Sequence, residues 1–349
     1  MLPYWLMFFI PIAVGAISIR ANDDLSKWIW LFVLVIFSLL IGLRFEVGGD
    51  WSNYVRNMSR GEGLGLVQGM GVLSSDPGYA LVSWLSLNSG LGIYGSNLFA
   101  ATVFMTGMVQ FCRRQPLSWL GLLVAVPYMI VVFAMGYTRQ TIAFGFELLA
   151  LNALVDARIR KFVVLILIGA MFHKSAVILL PLAALVATGN RLWTMFWVGV
   201  CSSLGVALIV GERAGEMWGS YVAGGHIQSS GGGIRVALSA LPAAIALLFQ
   251  SRLFESEYER RLWKWVAIFT LICVPLVPFA STAVDRVALY FMPIQIIVFS
   301  RLHRIFDLKT DRGLLVISVI GFYALIQFVW LNFANHAHAW VPYRFAPFQ

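Results

Sequence analysis

Runs of apolar residues recur from one end of the chain to the other, separated by short polar breaks. They predict helices over 2–19, 28–43, 91–111, 117–135, 138–155, 195–211, 234–250, 263–280, 285–300 and 313–331. Most come close to the roughly 20 residues that carry a helix across a hydrocarbon core. A further apolar stretch, 162–188, is broken by Phe172-His173-Lys174-Ser175. Its 27 residues are too few for two full crossings at the helical rise. The pattern there predicts a re-entrant pair of short helices with the break at Phe172–Ser175, tolerated where protein or a water-filled cavity surrounds it. The alternative is one crossing at 162–188 with a second re-entrant element near 212–233. The expected fold is all-α, a polytopic transmembrane bundle of about 10–12 helices.

Composition strengthens that picture. The chain is 60% hydrophobic and only 12% charged, half the charge of an ordinary soluble domain. It cannot cover itself with a water-facing surface, so residues 1–349 read as a single integral membrane domain. The longest polar connections, 44–78, 212–233 and 332–349, are rich in Gly or aromatics and too short for a domain of their own. No internal repeat is visible. The opening MLPYWLMFF lacks a basic stretch and reads as a first membrane helix rather than a removed signal. The net charge of +9 does not point to nucleic acid here, because membrane proteins keep Lys and Arg in cytoplasmic loops. Stretches 20–27, 113–114, 156–161, 191, 251–264 and 301–312 hold 16 of the 25 basic residues. The positive-inside rule places them in the cytoplasm and both termini outside. The three loops named above then lie on the outer face.

Nine cations fall on that outer face against the charge rule: Arg44, Arg56, Arg60, Arg139, Lys174, Arg213, Arg235, Arg286 and Arg344. Arg44 follows helix 28–43, Arg139 opens helix 138–155 and Arg286 opens helix 285–300. A charge at bilayer depth costs about 2.5–3.5 kcal/mol on insertion scales. Three such Arg beside His173 point to a shared anionic site, because guanidinium forks match phosphate oxygens. The bland reading is that each Arg snorkels to the interface. A helix start at Thr138 adds unpaired N–H groups and a positive dipole end beside Arg139 and Gln140. Arg286 and Tyr290 share a helix face, although Asp285 would neutralise its neighbour.

In the first outer loop, Gly48-Gly49 allows a tight turn and Asp50 is placed to cap a short helix carrying Trp51, Asn53 and Tyr54. Acid, amide, phenol and indole together suit sugar binding, against a plain capping role. Asp76-Pro77 reads as a helix start with Asp76 as cap, the structural reading being preferred there, and Tyr79–Leu87 is expected along the interface. Glu147, eight residues after Arg139, is either an ion-pair partner or a proton-handling group. The Gly-rich run 61–71 reads as a flexible loop. Cys112, Cys201 and Cys273 have no metal-ligand spacing, His336 and His338 are a weak metal signal, and no phosphate loop, HExxH, GxSxG or CxxC occurs. No metal and no cofactor is expected.

The order Arg44…Gly49-Asp50-Trp51-x-x-Tyr54, Asp76-Pro77-Gly78-Tyr79, Arg139-Gln140, Phe172-His173-Lys174-Ser175 and Arg286…Tyr290 resembles the EpsG group of Wzy-like polysaccharide polymerases over about residues 28–300. Asp76 departs from the glutamate associated with that group, and Val341-Pro342-Tyr343-Arg344 matches only loosely. The resemblance implies a GT-C-like bundle in the bacterial inner membrane with its active site facing the periplasm or cell exterior. It implies glycosyl transfer between undecaprenyl-pyrophosphate-linked oligosaccharide donor and acceptor, without nucleotide sugars, and a chain-length regulator as partner. On that footing Arg139 and Arg286, with Arg44 as third, would clamp the diphosphate, with Lys174 near phosphate or acceptor. His173 or Asp50 would be the base. Trp51 and Tyr54 would hold sugar, with Gln140 and Tyr290 further binding candidates. Rival readings are a transporter or flippase of lipid-linked sugars, an O-antigen ligase or lipid-linked glycosyltransferase, and a membrane O-acyltransferase.

Overall fold

A computed structural model describes residues 1–18, 22–187, 192–193, 195–197, 199–200, 203, 232–306 and 309–348. In chain order the helices are α1 (Leu2–Ser18), α2 (Asp23–Gly42), α3 (Trp51–Gly61), α4 (Leu66–Leu73), α5 (Pro77–Asn88), α6 (Gly92–Arg113), α7 (Ser118–Ala125), α8 (Thr138–Val155), α9 (Ile159–Phe172) and α10 (Pro181–Val186). Further along come α11 (Gly232–Leu248), a one-turn helix Gln250–Leu253, α12 (Glu257–Leu289), α13 (Pro293–Arg301) and α14 (Lys309–Phe333). Among the described residues the only β pairing is an isolated antiparallel bridge between Arg44 and Phe345. Three helical stretches, Asp23–Gly42, Glu257–Phe279 and Arg312–Phe333, are long and apolar enough to cross a bilayer, and shorter apolar helices accompany them. The chain is thus an all-helical membrane protein. The expected helix 195–211 and loop 212–233 lie almost wholly outside the described residues.

Local chemistry explains the helix ends and three departures from expectation. α2 starts at Asp23, not at residue 28, because the Asn22 side chain accepts a hydrogen bond from the Leu25 backbone N–H at 2.8 Å, with Asp23 and Asp24 in the first turn. The Gly-rich run 61–71 is not one loop. Its second half folds into α4, and Trp84 on α5 donates to the Leu64 carbonyl at 3.1 Å. The helices expected at 263–280 and 285–300 are divided elsewhere: α12 is continuous for 33 residues to Leu289. Ser281-Thr282-Ala283-Val284 contains no breaker. α12 runs through Pro275 and Pro278 and ends ahead of Pro293, which opens α13. α7 runs on as a π-helix over Val126–Ala134, a widened turn that is uncommon and often found near functional sites.

Cα packing divides the chain into two compact units. The first comprises Met1–Phe146, Ile168–His173 and Val316–Gln349. Within it α6 and α8 touch backbone to backbone: a Cβ on Gly107 would lie 2.3 Å from the Gly145 carbonyl oxygen, and one on Gly145 would lie 2.7 Å from that of Val103. Small residues are what allow such approach between helices in lipid. The C-terminal tail closes over the segment after α2. Phe45 N–H donates to the Arg344 carbonyl, Ala346 N–H to Leu43 and Gly48 N–H to Ala339, at 2.8–2.9 Å. The Trp340 indole donates to the Val131 carbonyl of the π-helix at 2.8 Å, and the Tyr4 hydroxyl to the Trp340 carbonyl at 2.6 Å. Gly48 has φ 109°, and a Cβ there would lie 2.2 Å from the Met135 carbonyl oxygen, so only glycine fits.

The second unit comprises Glu147–Leu167 and Lys174–Leu315. α11 packs along α12, and Gln295 on α13 donates to Ser239 on α11 at 2.9 Å. Charges collect at both ends of α12. At its start Arg301 pairs with Glu259 at 2.6 Å and Arg304 with Glu255 at 2.8 Å. Near its end Arg235 grips Asp285 through Nε at 2.7 Å and through Nη2. Glu259 and Asp285 stand near opposite ends of α12, which carries Pro275 and Pro278 in its interior.

Candidate functional site

The site is built where α5 begins and α9 ends. Pro77 occupies the first position of α5 and Asp76 the cap position, with extended backbone at φ −97°, ψ 112°. The expectation that Asp76 caps the helix is only half met. Its main-chain carbonyl accepts from Ala80 N–H at 2.9 Å, but its carboxylate makes no capping hydrogen bond. That carboxylate turns to other helices instead. Oδ2 accepts from Arg139 Nη1 of α8 at 2.9 Å and lies 3.9 Å from His173 Nδ1, just past the end of α9. Gly78 makes the approach possible, since a Cβ there would meet the Met171 carbonyl oxygen at 3.0 Å.

Exposure is graded across the cluster. The Asp76 side chain is 4% exposed, His173 19% and Arg139 37%. The cation therefore faces outward while the carboxylate that holds it stays dry. Water does not screen such a pair as it would on a surface. Tyr54 of α3 lies close enough to Arg139 for the guanidinium to act on its phenol electrostatically. Burial, first, and the nearby Asp50 raise the Tyr54 phenol above its ordinary range, so it stays neutral. The rings of Tyr54 and Tyr79 lie 5.8 Å apart, and together with Ala100, Ile142 and Phe172 they form the apolar floor. Phe172 is further held by stacking on Phe146 at 5.9 Å.

Arg44 acts from beneath. It is buried, and its guanidinium donates to the carbonyls of Val47 (3.1 Å) and Ile41 (2.6 Å), to Thr138 Oγ1 (3.0 Å) and, longer, to Asn97 Oδ1 (3.4 Å). Thr138 Oγ1 in turn donates to Asn97 Oδ1 at 3.0 Å. The network ties the segment after α2 to α6 and to the first residue of α8, next to Arg139. These four contacts engage Nε, Nη1 and Nη2, so Arg44 holds the frame instead of reaching outward. Gln140 is buried, and its Nε2 has no hydrogen-bond partner among the described residues. Asp50 heads α3 without a side-chain cap bond, and Trp51 is half-buried between Phe45 (6.2 Å) and Tyr94 (6.1 Å).

The other candidates belong to the second unit. Lys174 opens a 3₁₀ turn, Lys174–Leu179, and Ser175 Oγ lies 2.9 Å from the Tyr290 hydroxyl. Arg286 does not open a helix as the sequence suggests. It lies exposed in the last turn of α12, where a cation meets the negative end of the helix dipole, so the argument from a helix N-terminus does not apply to it. Asp285 is taken by Arg235. Glu147 is fully buried, and neither carboxylate oxygen has a hydrogen-bond partner among the described residues, so the ion-pair alternative is not seen there. Among the described residues no three His, Cys, Asp or Glu side chains are grouped to hold a metal ion.

The first unit thus gathers Tyr54, Asp76, Arg139 and His173 from α3, the start of α5, the start of α8 and the end of α9. Sequence reasoning gave Asp76 too little weight. An acid directly before a helix-opening proline reads as a cap whether or not the side chain turns elsewhere. Chemically the cluster offers a guanidinium fork for an anion, an imidazole beside it and a buried carboxylate able to orient both. A sequence model described as the EpsG family matches residues 27–345. No curated protein and no solved structure matches the chain.

Proposed function

The chain belongs to the EpsG family, a membrane family of polysaccharide-polymerase type, and on that premise we propose that it joins undecaprenyl-pyrophosphate-linked oligosaccharide repeat units on the outer face of the bacterial inner membrane. The observation that carries the reading is the partly exposed Arg139 guanidinium, anchored by buried Asp76 with His173 beside it. Arg139 binds the diphosphate of the donor lipid. A neutral His173 accepts the proton of the acceptor hydroxyl on Nε2 as that oxygen attacks the anomeric carbon. The new glycosidic C–O bond forms as the C–O bond to diphosphate breaks, and the diphosphate leaves with the electron pair. Arg139 stabilises the charge that builds there. The architecture proposed is GT-C-like. Asp50 is the second candidate base, and Trp51 with Tyr54 gives the sugar an aromatic wall. Lys174, Arg286 and Tyr290 remain substrate-binding candidates on the second unit, and a chain-length regulator is the proposed protein partner.

The test is reconstitution. Purified protein in lipid vesicles, given only the undecaprenyl-linked repeat unit, is expected to produce a ladder of polymer on a gel. A ladder that requires a nucleotide sugar, or movement of the unit across the membrane with no ladder, overturns the proposal in favour of another transferase or a transporter.

A further inference from the structure

The segment after α14 returns to the first unit and places one indole where three parts of the site's frame meet. Trp340 is buried, with 4% exposure, and its ring stands edge-on to Trp330 at 5.1 Å. Its Nε1–H donates to the Val131 carbonyl in the π-helix at 2.8 Å. Its six-membered ring lies against two glycines. A Cβ on Gly136 would come within 3.0 Å of Cζ2, and one on Gly49 within 3.8 Å of Cη2. Both glycines stand at the entry to a site helix. Gly136 is three residues before Arg139 at the start of α8, and Gly49 directly precedes Asp50, which heads α3 with Trp51 and Tyr54. The backbone around the ring is tied as closely. The Gly48 N–H donates to the Ala339 carbonyl at 2.8 Å, and the Tyr4 hydroxyl to the Trp340 carbonyl at 2.6 Å. A ring this enclosed does not touch substrate. It can still decide where substrate is met, because a widened turn changes the direction in which the residues after it point.

We propose that Trp340 is a positioning residue: lodged between the entry to α3 and the entry to α8, its indole fixes the aromatic wall of Trp51 and Tyr54 relative to the Arg139 fork, so that the sugar and the diphosphate of one donor are met together. The ring sets the spacing, because it fills the room that the two glycines leave. The N–H sets the aim, because it holds the Val131 carbonyl and with it the turn that delivers Arg139. The proposal rests on the donor reading above for what the two helices hold, but not for the lock between them.

Hydrogen exchange read by mass spectrometry, on the full chain in lipid nanodiscs, reports the lock without any substrate. Trp340→Ala is expected to speed exchange in two stretches together, 45–54 and 131–141, with α11 and α12 unchanged. Trp340→Phe keeps a ring and loses the donor, so exchange is expected to rise in 131–141 alone, and this variant carries the test if alanine does not fold. Exchange unchanged in both stretches, or faster exchange spread evenly over α11 and α12, overturns the lock. In vesicles given the undecaprenyl-linked repeat unit, Trp340→Ala is expected to slow polymer formation about 10²-fold, the loss that follows a misplacement of about 1 Å, with Trp340→Phe between it and wild type. Binding of inorganic pyrophosphate, measured by calorimetry, is expected to be retained in both variants, since the fork is intact and only its placement against α3 has changed. A parallel loss of pyrophosphate binding overturns the positioning role, because Trp340 then supports the anion site itself. Wild-type protein that makes no ladder while exchange responds as described leaves the lock standing and refutes the polymerase reading. A wild-type ladder with Trp340→Ala equally fast does the reverse.

Discussion

At the scale of single residues, three side chains make opposite demands. Arg139 is asked to meet charge that grows during bond breaking, so Arg139→Ala is expected to lower the rate of polymer formation by about 10²–10³. Arg139→Lys keeps the charge but loses the planar fork and is expected to fall between wild type and alanine. Both are measured as repeat units added per minute in vesicles. Arg44 is different in kind. Removing it strips donors from the Ile41 and Val47 carbonyls, Thr138 and Asn97, and each dry acceptor left behind costs about 1–3 kcal/mol. Arg44→Ala is thus expected to lower the Tm in detergent; Arg139→Ala also lowers it, because it leaves the buried Asp76 carboxylate without its cation, so the rates are compared at a temperature where both variants stay folded. Glu147 has no partner among the described residues for either oxygen, and burying an ionised, unpaired carboxylate is costly. Glu147→Gln is expected to leave Tm equal or higher with polymer yield retained. A lost yield at unchanged Tm would instead assign Glu147 the proton-handling role.

Among elements, the decisive feature is how closely helix ends approach. α5 and α9 meet at Gly78, and the meeting brings Asp76 within reach of His173. Gly78→Val adds atoms where a Cβ alone already lies 3.0 Å from backbone. Overpacking of this kind costs about 1–3 kcal/mol, and here it also parts the cluster. Polymer rate is expected to drop more than Tm, and the loss should resemble that of Asp76→Asn. α12 teaches a second lesson about elements. Ser281–Val284, two of whose four residues are polar, reads as a connection, yet no residue in it breaks a helix, and the turn falls at Tyr290–Met292 ahead of Pro293. Arg286 moves from a helix start to a helix end in consequence, and its electrostatic meaning reverses with it.

For the whole molecule, the prediction concerns sidedness. In a background with Cys112, Cys201 and Cys273 replaced, Glu257→Cys and Arg286→Cys mark opposite ends of α12. A membrane-impermeant maleimide on intact cells is expected to label the second and to reach the first only after the inner membrane is opened. Equal labelling from one side would rule out α12 as a crossing and the orientation drawn from the basic residues.

Much of the all-helical, membrane-type architecture was legible without coordinates, because burial in lipid leaves a coarse mark: long apolar runs and few charges. The break at His173, the helix start at Thr138 and the short helix headed by Asp50 were readable for a local reason, since each is set by residues next to it in the chain. What the fold alone decided is which groups share a space. Asp76, Arg139 and His173 are far apart in sequence, and nothing in the spacing says that one carboxylate oxygen lies between a guanidinium and an imidazole. The same holds for Arg44, which looks like a ligand-binding cation in sequence but is consumed by four acceptors from three separate stretches. A side chain's chemistry is local and its partners are not, so the sequence determined the helices and the kinds of group available, and the packing of those helices determined what each group can do.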